Sequence, residues 1–338
     1  MSKAKKYLIA IISLLVLILA GSIFKSNLYK VNISGEINAP VNFVYNAINN
    51  LAYQEDWNAK ASLDTSYRVF CDDHTRGRGV QCTYHSERYG DGEIRILETA
   101  ANDSLMISEV SGKHKPEYIT YKLKTDKNNK TKILITGSGE SGWIINLWNF
   151  IHKWKLKKHL NHQLDNLNVF VQERAQQKLY NGYTVELTSL DQKYFLLQKA
   201  EVNLDNVDAY YTQNISALYQ TALENQIVVN GMPCALYYRW DDALKITEVA
   251  AAIPTLSELF IAGTQSTLIP PGTALKTAYT GDKKNIRKAH LAIQDYMLDH
   301  YLISRSPVIE EYMTSPVQEP DPTKWVTNIY YYVSEVQH

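Results

Sequence analysis

Pro307–Val333 reads PVIEEYMTSPVQEPDPTKWVTNIYYYV, a strand, a loop and a second strand. Val308–Met313 alternates, so Glu310 and Tyr312 share one face while Ile309 and Glu311 share the other. Pro316, Pro320 and Pro322 then break any regular element. Trp325–Val333 is rich in aromatic and β-branched residues and predicts the second strand. Adjacent carboxylates on opposite faces cannot both be easily solvated if the sheet packs on something. A carboxylate turned inward among Tyr and Trp costs several kcal/mol, or a large pKa shift, unless it is paired. Two readings follow. Either both Glu lie near an exposed strand end, or Glu310 lines an aromatic pocket and awaits a cationic or polar ligand.

Working outward, residues 183–335 show a weak internal repeat of two β-β-α-β-β modules. The first is predicted as strands Thr184–Ser189 and Tyr194–Val202, helix Val207–Asn225, and strands Cys234–Trp240 and Lys245–Ala252. The second runs through strands Glu258–Gly263 and Gly272–Thr280, helix Lys283–Ile303, and strands Val308–Met313 and Trp325–Val333. Ile286, Ala289, Ile293 and Met297 form the apolar face of the second helix. Side by side, the modules make a continuous sheet with helices on one side, and the groove between them is a natural ligand site.

Several of these residues resemble the GyrI-like, or AraC-type effector-binding, small-molecule-binding domain. They are Glu310-x-Tyr312, the Pro316 loop, Pro320-Asp321-Pro322, Trp325, Thr327-x-Ile329-Tyr330 and Tyr279-x-Gly281. The resemblance implies an inward Glu ringed by aromatics that meets small hydrophobic molecules, often cations. The candidate lining is Glu310, Tyr312, Trp325, Tyr330, Tyr238, Trp240 and Tyr279. Because Glu311 is adjacent, a one-residue slip would exchange the two carboxylates.

The first half predicts a strand at Lys30–Asn38, a helix opened by Ala39-Pro40, and a short helix at Tyr53–Trp57. Six strands follow between Ser66 and Gly139, separated by polar or glycine-bearing turns, and one long helix spans Trp143–Gln177. This order, with Ile37-x-Ala39-Pro40, Val44-Tyr45 and Trp57-Asn58, resembles the START-like (SRPBCC, polyketide-cyclase-type) helix-grip fold over residues 31–178. That resemblance implies a hydrophobic cavity under the last helix. Ahead of it, Tyr7–Phe24 has 18 residues without a charge, which predicts one transmembrane anchor over residues 7–24. Lys3, Lys5 and Lys6 precede it, placing the bulk of the chain outside the cytoplasm. The expected class is therefore α+β: an anchor, a helix-grip domain and a GyrI-like domain.

The charge balance of 35 basic against 35 acidic residues gives no electrostatic footprint for nucleic acid. No cofactor motif is present: Gly137-x-Gly139 lacks a third glycine and a βαβ context. His159-x-x-His162 lacks a convincing third metal ligand and reads as a solvated helix face. Cys71 and Cys82 flank a hairpin turn, where either a cross-strand disulfide or, preferred here, two free buried thiols fit. No Ser-His-Asp, Cys-His or metal set appears, so binding is preferred to catalysis. The expected function is a membrane-anchored binding or sensing protein for small hydrophobic molecules, cations among them. One alternative is a small-molecule hydrolase of the GyrI-like type, with Glu310 as a general base whose pKa burial raises. The other is a lipid-binding or partner-interaction protein acting through the START-like domain.

Overall fold

The structure is a computed structural model that describes residues 28–72, 74–112, 114–140, 149–314 and 319–335, with only the backbone described for 149–151. The expected span at Tyr7–Phe24, the first turns of the helix expected from Trp143, and Pro316 lie outside these residues. Among the described residues no helix is long and apolar enough to cross a membrane. The chain divides into two compact units, Met1–Gln176 and Gln177–His338.

The first unit runs β1 (Leu28–Ile37), α1 (Val41–Ile48), α2 (Gln54–Trp57), α3 (Ala59–Leu63), β2 (Arg68–Cys71) and β3 (Gln81–His85). It continues with β4 (Gly92–Ala100), β5 (Ser104–Ser111), β6 (Glu117–Thr125), β7 (Thr131–Glu140) and α4 (Asn149–Gln177). The seven strands form one antiparallel sheet in the order β1-β7-β6-β5-β4-β3-β2. Short turns make sequential strands neighbours, and only the β1–β7 pairing is long-range. Leu156, Leu160, Leu164, Leu167 and Val171 recur at three- or four-residue spacing on α4 and join the sheet in a single core. Gly35 permits this close approach, because a Cβ there would stand 2.5 Å from Leu164 Cδ2.

Cys71 and Cys82 correct the expectation of free thiols: they form a disulfide. They face each other across the β2–β3 ladder with Cα atoms 4.4 Å apart, the close spacing of a cross-strand pair. The double substitution Cys71→Ser with Cys82→Ala would delete a bridge over a separation of 11 residues. The expected loss is about 2–3 kcal/mol of the first unit's unfolding free energy. Chemical denaturation measures it, and a loss under about 0.5 kcal/mol, the scale of an ordinary surface substitution, would mean that the bridge is not formed.

The second unit opens with a short hairpin, β8 (Leu179–Tyr180) and β9 (Tyr183–Thr184), then β10 (Glu186–Leu190), β11 (Lys193–Asn203) and α5 (Val207–Glu224). There follow β12 (Cys234–Asp241), β13 (Ile246–Thr255), β14 (Gln265–Ile269), β15 (Gly272–Thr280), α6 (Arg287–Asp299), β16 (Leu302–Tyr312) and β17 (Val326–Glu335). Eight of the strands make an antiparallel sheet ordered β10-β15-β17-β16-β12-β13-β11-β14. Outward from the central β16–β12 pair the two halves match, β17-β15-β10 on one side and β13-β11-β14 on the other. The two modules lie side by side in one continuous sheet, as expected, and each module's first short strand is given to the other module's edge.

Two boundaries also differ. Glu258–Gly263 is not a strand: Leu259 and Ile261 pack as a loop onto the α5 core, and the strand begins at Gln265. The second helix is shorter than Lys283–Ile303. Asp282 caps a 3₁₀ turn at Lys283–Asn285, and after Asp299 the chain turns at Tyr301 (φ 53°) into β16. Both helices cover the same sheet face, since Tyr211 of α5 meets Tyr312 edge-on while His290 of α6 meets Glu310.

Candidate functional site

The central strand pair sets Ala235 opposite Glu310 and Tyr237 opposite Val308. Over this seam, flanked by the first turns of α5 and α6, lies a cavity of about 700 Å³. Its floor includes Tyr237, Val308, Glu310, Tyr312 and Tyr331; Asp208 reaches it from α5, and Lys283 and His290 from the α6 side. The even-numbered positions of β16 turn toward the helices, as the alternation predicts.

Glu310 is 5% exposed. Its Oε1 accepts from His290 Nε2 at 2.9 Å, and its Oε2 accepts from the Tyr312 hydroxyl at 2.8 Å. His290 Nδ1 lies 2.9 Å from the Tyr331 hydroxyl, so strand and helix side chains form one chain of hydrogen bonds. The Lys283 ammonium sits 3.3 Å from the centre of the Tyr312 ring and 4.7 Å from that of Tyr211. Burial alone would raise the Glu310 pKa. The hydrogen bonds and charge of its partners outweigh burial and hold the carboxyl below its ordinary value. This corrects the raised pKa expected for a general base: a carboxylate kept ionised by two donors is a weak proton acceptor. Burial lowers the Lys283 pKa, and the charges of Glu310 and Asp208 offset that only in part. Burial pushes the Tyr237 and Tyr312 hydroxyls well above their ordinary value.

Of the residues singled out in the sequence, Glu310, Tyr312, Tyr238 and Trp240 border this cavity. Trp240 stands at its rim, 55% exposed, with Nε1 donating to Asp242. Trp325, Tyr330 and Tyr279 do not line it. Tyr330 has the other parity on β17 and donates to Glu311 at 3.2 Å on the opposite sheet face. There Glu311 also meets Lys193 at 3.3 Å, which separates the roles of the two adjacent carboxylates. Tyr279 is core, its hydroxyl donating to the Asp282 carbonyl at 2.6 Å. Trp325 closes the 3₁₀ turn before β17 and donates to the Glu319 carbonyl at 2.7 Å.

Sequence reasoning missed His290, Lys283, Tyr211, Tyr237 and Tyr331. His290 had a legible signal: it follows Ile286 by four residues, on the apolar face of the helix. Lys283 had none, because only the folded chain brings it over Tyr312.

The first unit holds a second buried polar group of residues. Lys60 forms an ion pair with Glu109 and donates to the Tyr84 hydroxyl at 3.0 Å and to Ser111 Oγ at 3.2 Å. Burial would lower the Lys60 pKa, but Glu109 and Tyr84 outweigh it and hold the ammonium above its ordinary value. Burial, then the Glu109 charge, raises Glu117, which also accepts from the Tyr29 hydroxyl at 3.1 Å. Glu109 continues the alternation of Leu105 and Ile107 on β5, so its inward aim was readable. The expected solvated histidine face is corrected too: His159 is largely buried, which lowers its pKa, and His162 bonds Ser62 Oγ at 2.9 Å. Among the described residues no cluster of three or more His, Cys, Asp or Glu has metal-binding geometry.

No protein-family model and no curated protein matches the chain. Parts of it are similar to solved structures. The EcmrR C-terminal domain is 16% identical with a TM-score of 0.42, covering 46% of this chain and 99% of that one. Protein CV1439 from Chromobacterium violaceum is 13% identical with a TM-score of 0.34, covering 42% and 96%. SAV2435, solved bound to tetraphenylphosphonium, is 12% identical with a TM-score of 0.35, covering 44% and 93%. These identities and scores are too low to carry a functional assignment, which rests on the residues of the chain itself.

Proposed function

We propose that the second unit is a GyrI-like small-molecule-binding domain and that its ligand occupies the cavity over the β12–β16 seam. The observation that carries this reading is the cavity itself. It is of ligand size, it is walled by tyrosines, and it holds one ionised carboxylate oriented by His290 and Tyr312. Preorganised polar groups in an apolar enclosure fix a ligand's orientation, while the rings contribute the contact area. The carboxylate's lowered pKa favours binding over the hydrolase alternative.

The first unit is read as a START-like helix-grip domain, on the support of α4 crossing a seven-stranded antiparallel sheet. Residues 7–24 are read as a single membrane anchor with both units outside the cytoplasm. The Cys71–Cys82 disulfide supports that side, because such bridges persist in oxidising compartments. The whole is then a membrane-anchored receptor or sensor for small molecules.

The test is thermal unfolding of the full chain in lipid nanodiscs, against small aromatic and aliphatic compounds of either charge. A ligand at about a hundred times its Kd is expected to raise the second unit's transition by about 5–10 °C. Val308→Trp, which sets an indole on the cavity floor, is expected to abolish the shift. No shift from any compound, or a shift that survives Val308→Trp, would overturn the assignment.

A further inference from the structure

The cavity already contains its own cation. Lys283 takes the place over the Tyr312 ring that a ligand ammonium would need, and it lies within the field of Glu310. Both Glu310 oxygens are occupied, one by His290 and one by Tyr312. A cationic ligand would have to displace Lys283 and share carboxylate oxygens that each already accept one hydrogen bond.

The remaining wall points the same way. Arg239, Lys283, Lys284, Arg287 and Arg305 border the cavity, against the carboxylates Asp208, Asp242 and Glu310. Of the five basic residues, Arg239 is engaged with Glu201, 2.5 Å away. The other four form no ion pair with a described residue. Lys283 is the most enclosed of them, and its ammonium, with three donors, has ring contacts but no hydrogen-bond acceptor among the described residues. A half-buried ammonium without an acceptor carries part of its desolvation cost, and a ligand oxygen would offset it.

Resting on the small-molecule reading above, we infer that the ligand is an amphiphile whose head is a carboxylate or another oxyanion, held by Lys283, with its apolar body against Tyr237, Tyr312 and Tyr331. Charge-assisted hydrogen bonds from an ammonium to an oxyanion are roughly twice as strong as neutral ones. Lys284, Arg287 and Arg305 at the cavity wall add long-range attraction for an anion as it enters.

Naphthylacetate and naphthylethylammonium share a ring system and differ in the sign of the head group. Both are titrated by calorimetry into the full chain in zwitterionic nanodiscs, with empty discs as the blank. The acetate is expected to bind about tenfold more tightly or better. Lys283→Met is expected to remove that preference and Lys283→Arg to keep it, with unfolding midpoints reporting that each variant is folded. Equal binding, tighter binding of the ammonium, or a preference that survives Lys283→Met overturns the oxyanion assignment and leaves the small-molecule reading standing. Binding of neither probe also overturns the oxyanion assignment, and the small-molecule reading is then decided by the wider compound panel and Val308→Trp.

Discussion

Glu310→Ala is expected to lower the second unit's unfolding free energy by about 3–5 kcal/mol. The substitution strands the Tyr312 hydroxyl and the His290 Nε2–H without acceptors in a buried site, and removes the charge that faces Lys283. Glu310→Gln keeps one acceptor oxygen but turns an amide N–H₂ toward a donor, so about 1–3 kcal/mol is expected. The pH profile separates this from simple loss of packing. The carboxyl's pKa is held below its ordinary value of 4.5, so its contribution is complete above pH 4.5 and is lost as pH falls through the depressed value. Below that point the gap between wild type and Glu310→Ala should narrow by the share that ionisation contributes. Urea titrations at neutral and acid pH read both effects. A loss under about 1 kcal/mol at neutral pH, no more than the median exposed ion pair is worth, would mean that Glu310 is solvated.

Lys60→Met in the first unit is expected to cost about 3–5 kcal/mol, because it takes the ion-pair partner from the buried Glu109 side chain. The two side chains are 13% and 6% exposed, so solvent screens the pair little. Lys60 has a pKa above its ordinary 10.5, so its contribution is fully present below pH 10.5 and disappears only as pH rises through the raised value. The penalty should therefore be constant across neutral pH. Replacing both partners, Lys60→Met with Glu109→Leu, is expected to recover most of the loss, since paired removal leaves no orphaned charge. A double variant no more stable than Lys60→Met alone would show that the cost is packing and not charge.

These two sites differ in how far they could be read in advance. Glu310 and Glu109 sit at the buried parity of alternating strands; alternation points Glu109 inward with Leu105 and Ile107, whereas for Glu310 it only sets the face opposite to Glu311. Their partners come from elsewhere in the chain. Lys60 lies 49 residues before Glu109, and His290 lies 20 before Glu310. Such distances carry no local signal, although His290 at least occupied an inward helix position. Trp325, Tyr330 and Tyr279 were drawn into the candidate pocket by residue type. Strand parity sends Tyr330 to the other face, and hydrogen bonds to the Asp282 and Glu319 carbonyls hold Tyr279 and Trp325 away.

By itself the sequence determined most of the element order, the opposite faces of Glu310 and Glu311 and the doubled module in the second half. All of these follow from periodicity and turn chemistry within a few residues. The tertiary structure decided the exchange of β10 and β14 between modules, the disulfide and the seating of Lys283 over Tyr312. The reason is physical. Edge pairing depends on which backbone groups remain unpaired once each sheet half has formed. A charge's environment depends on which distant elements bury it, so neither can be read from a short window of residues.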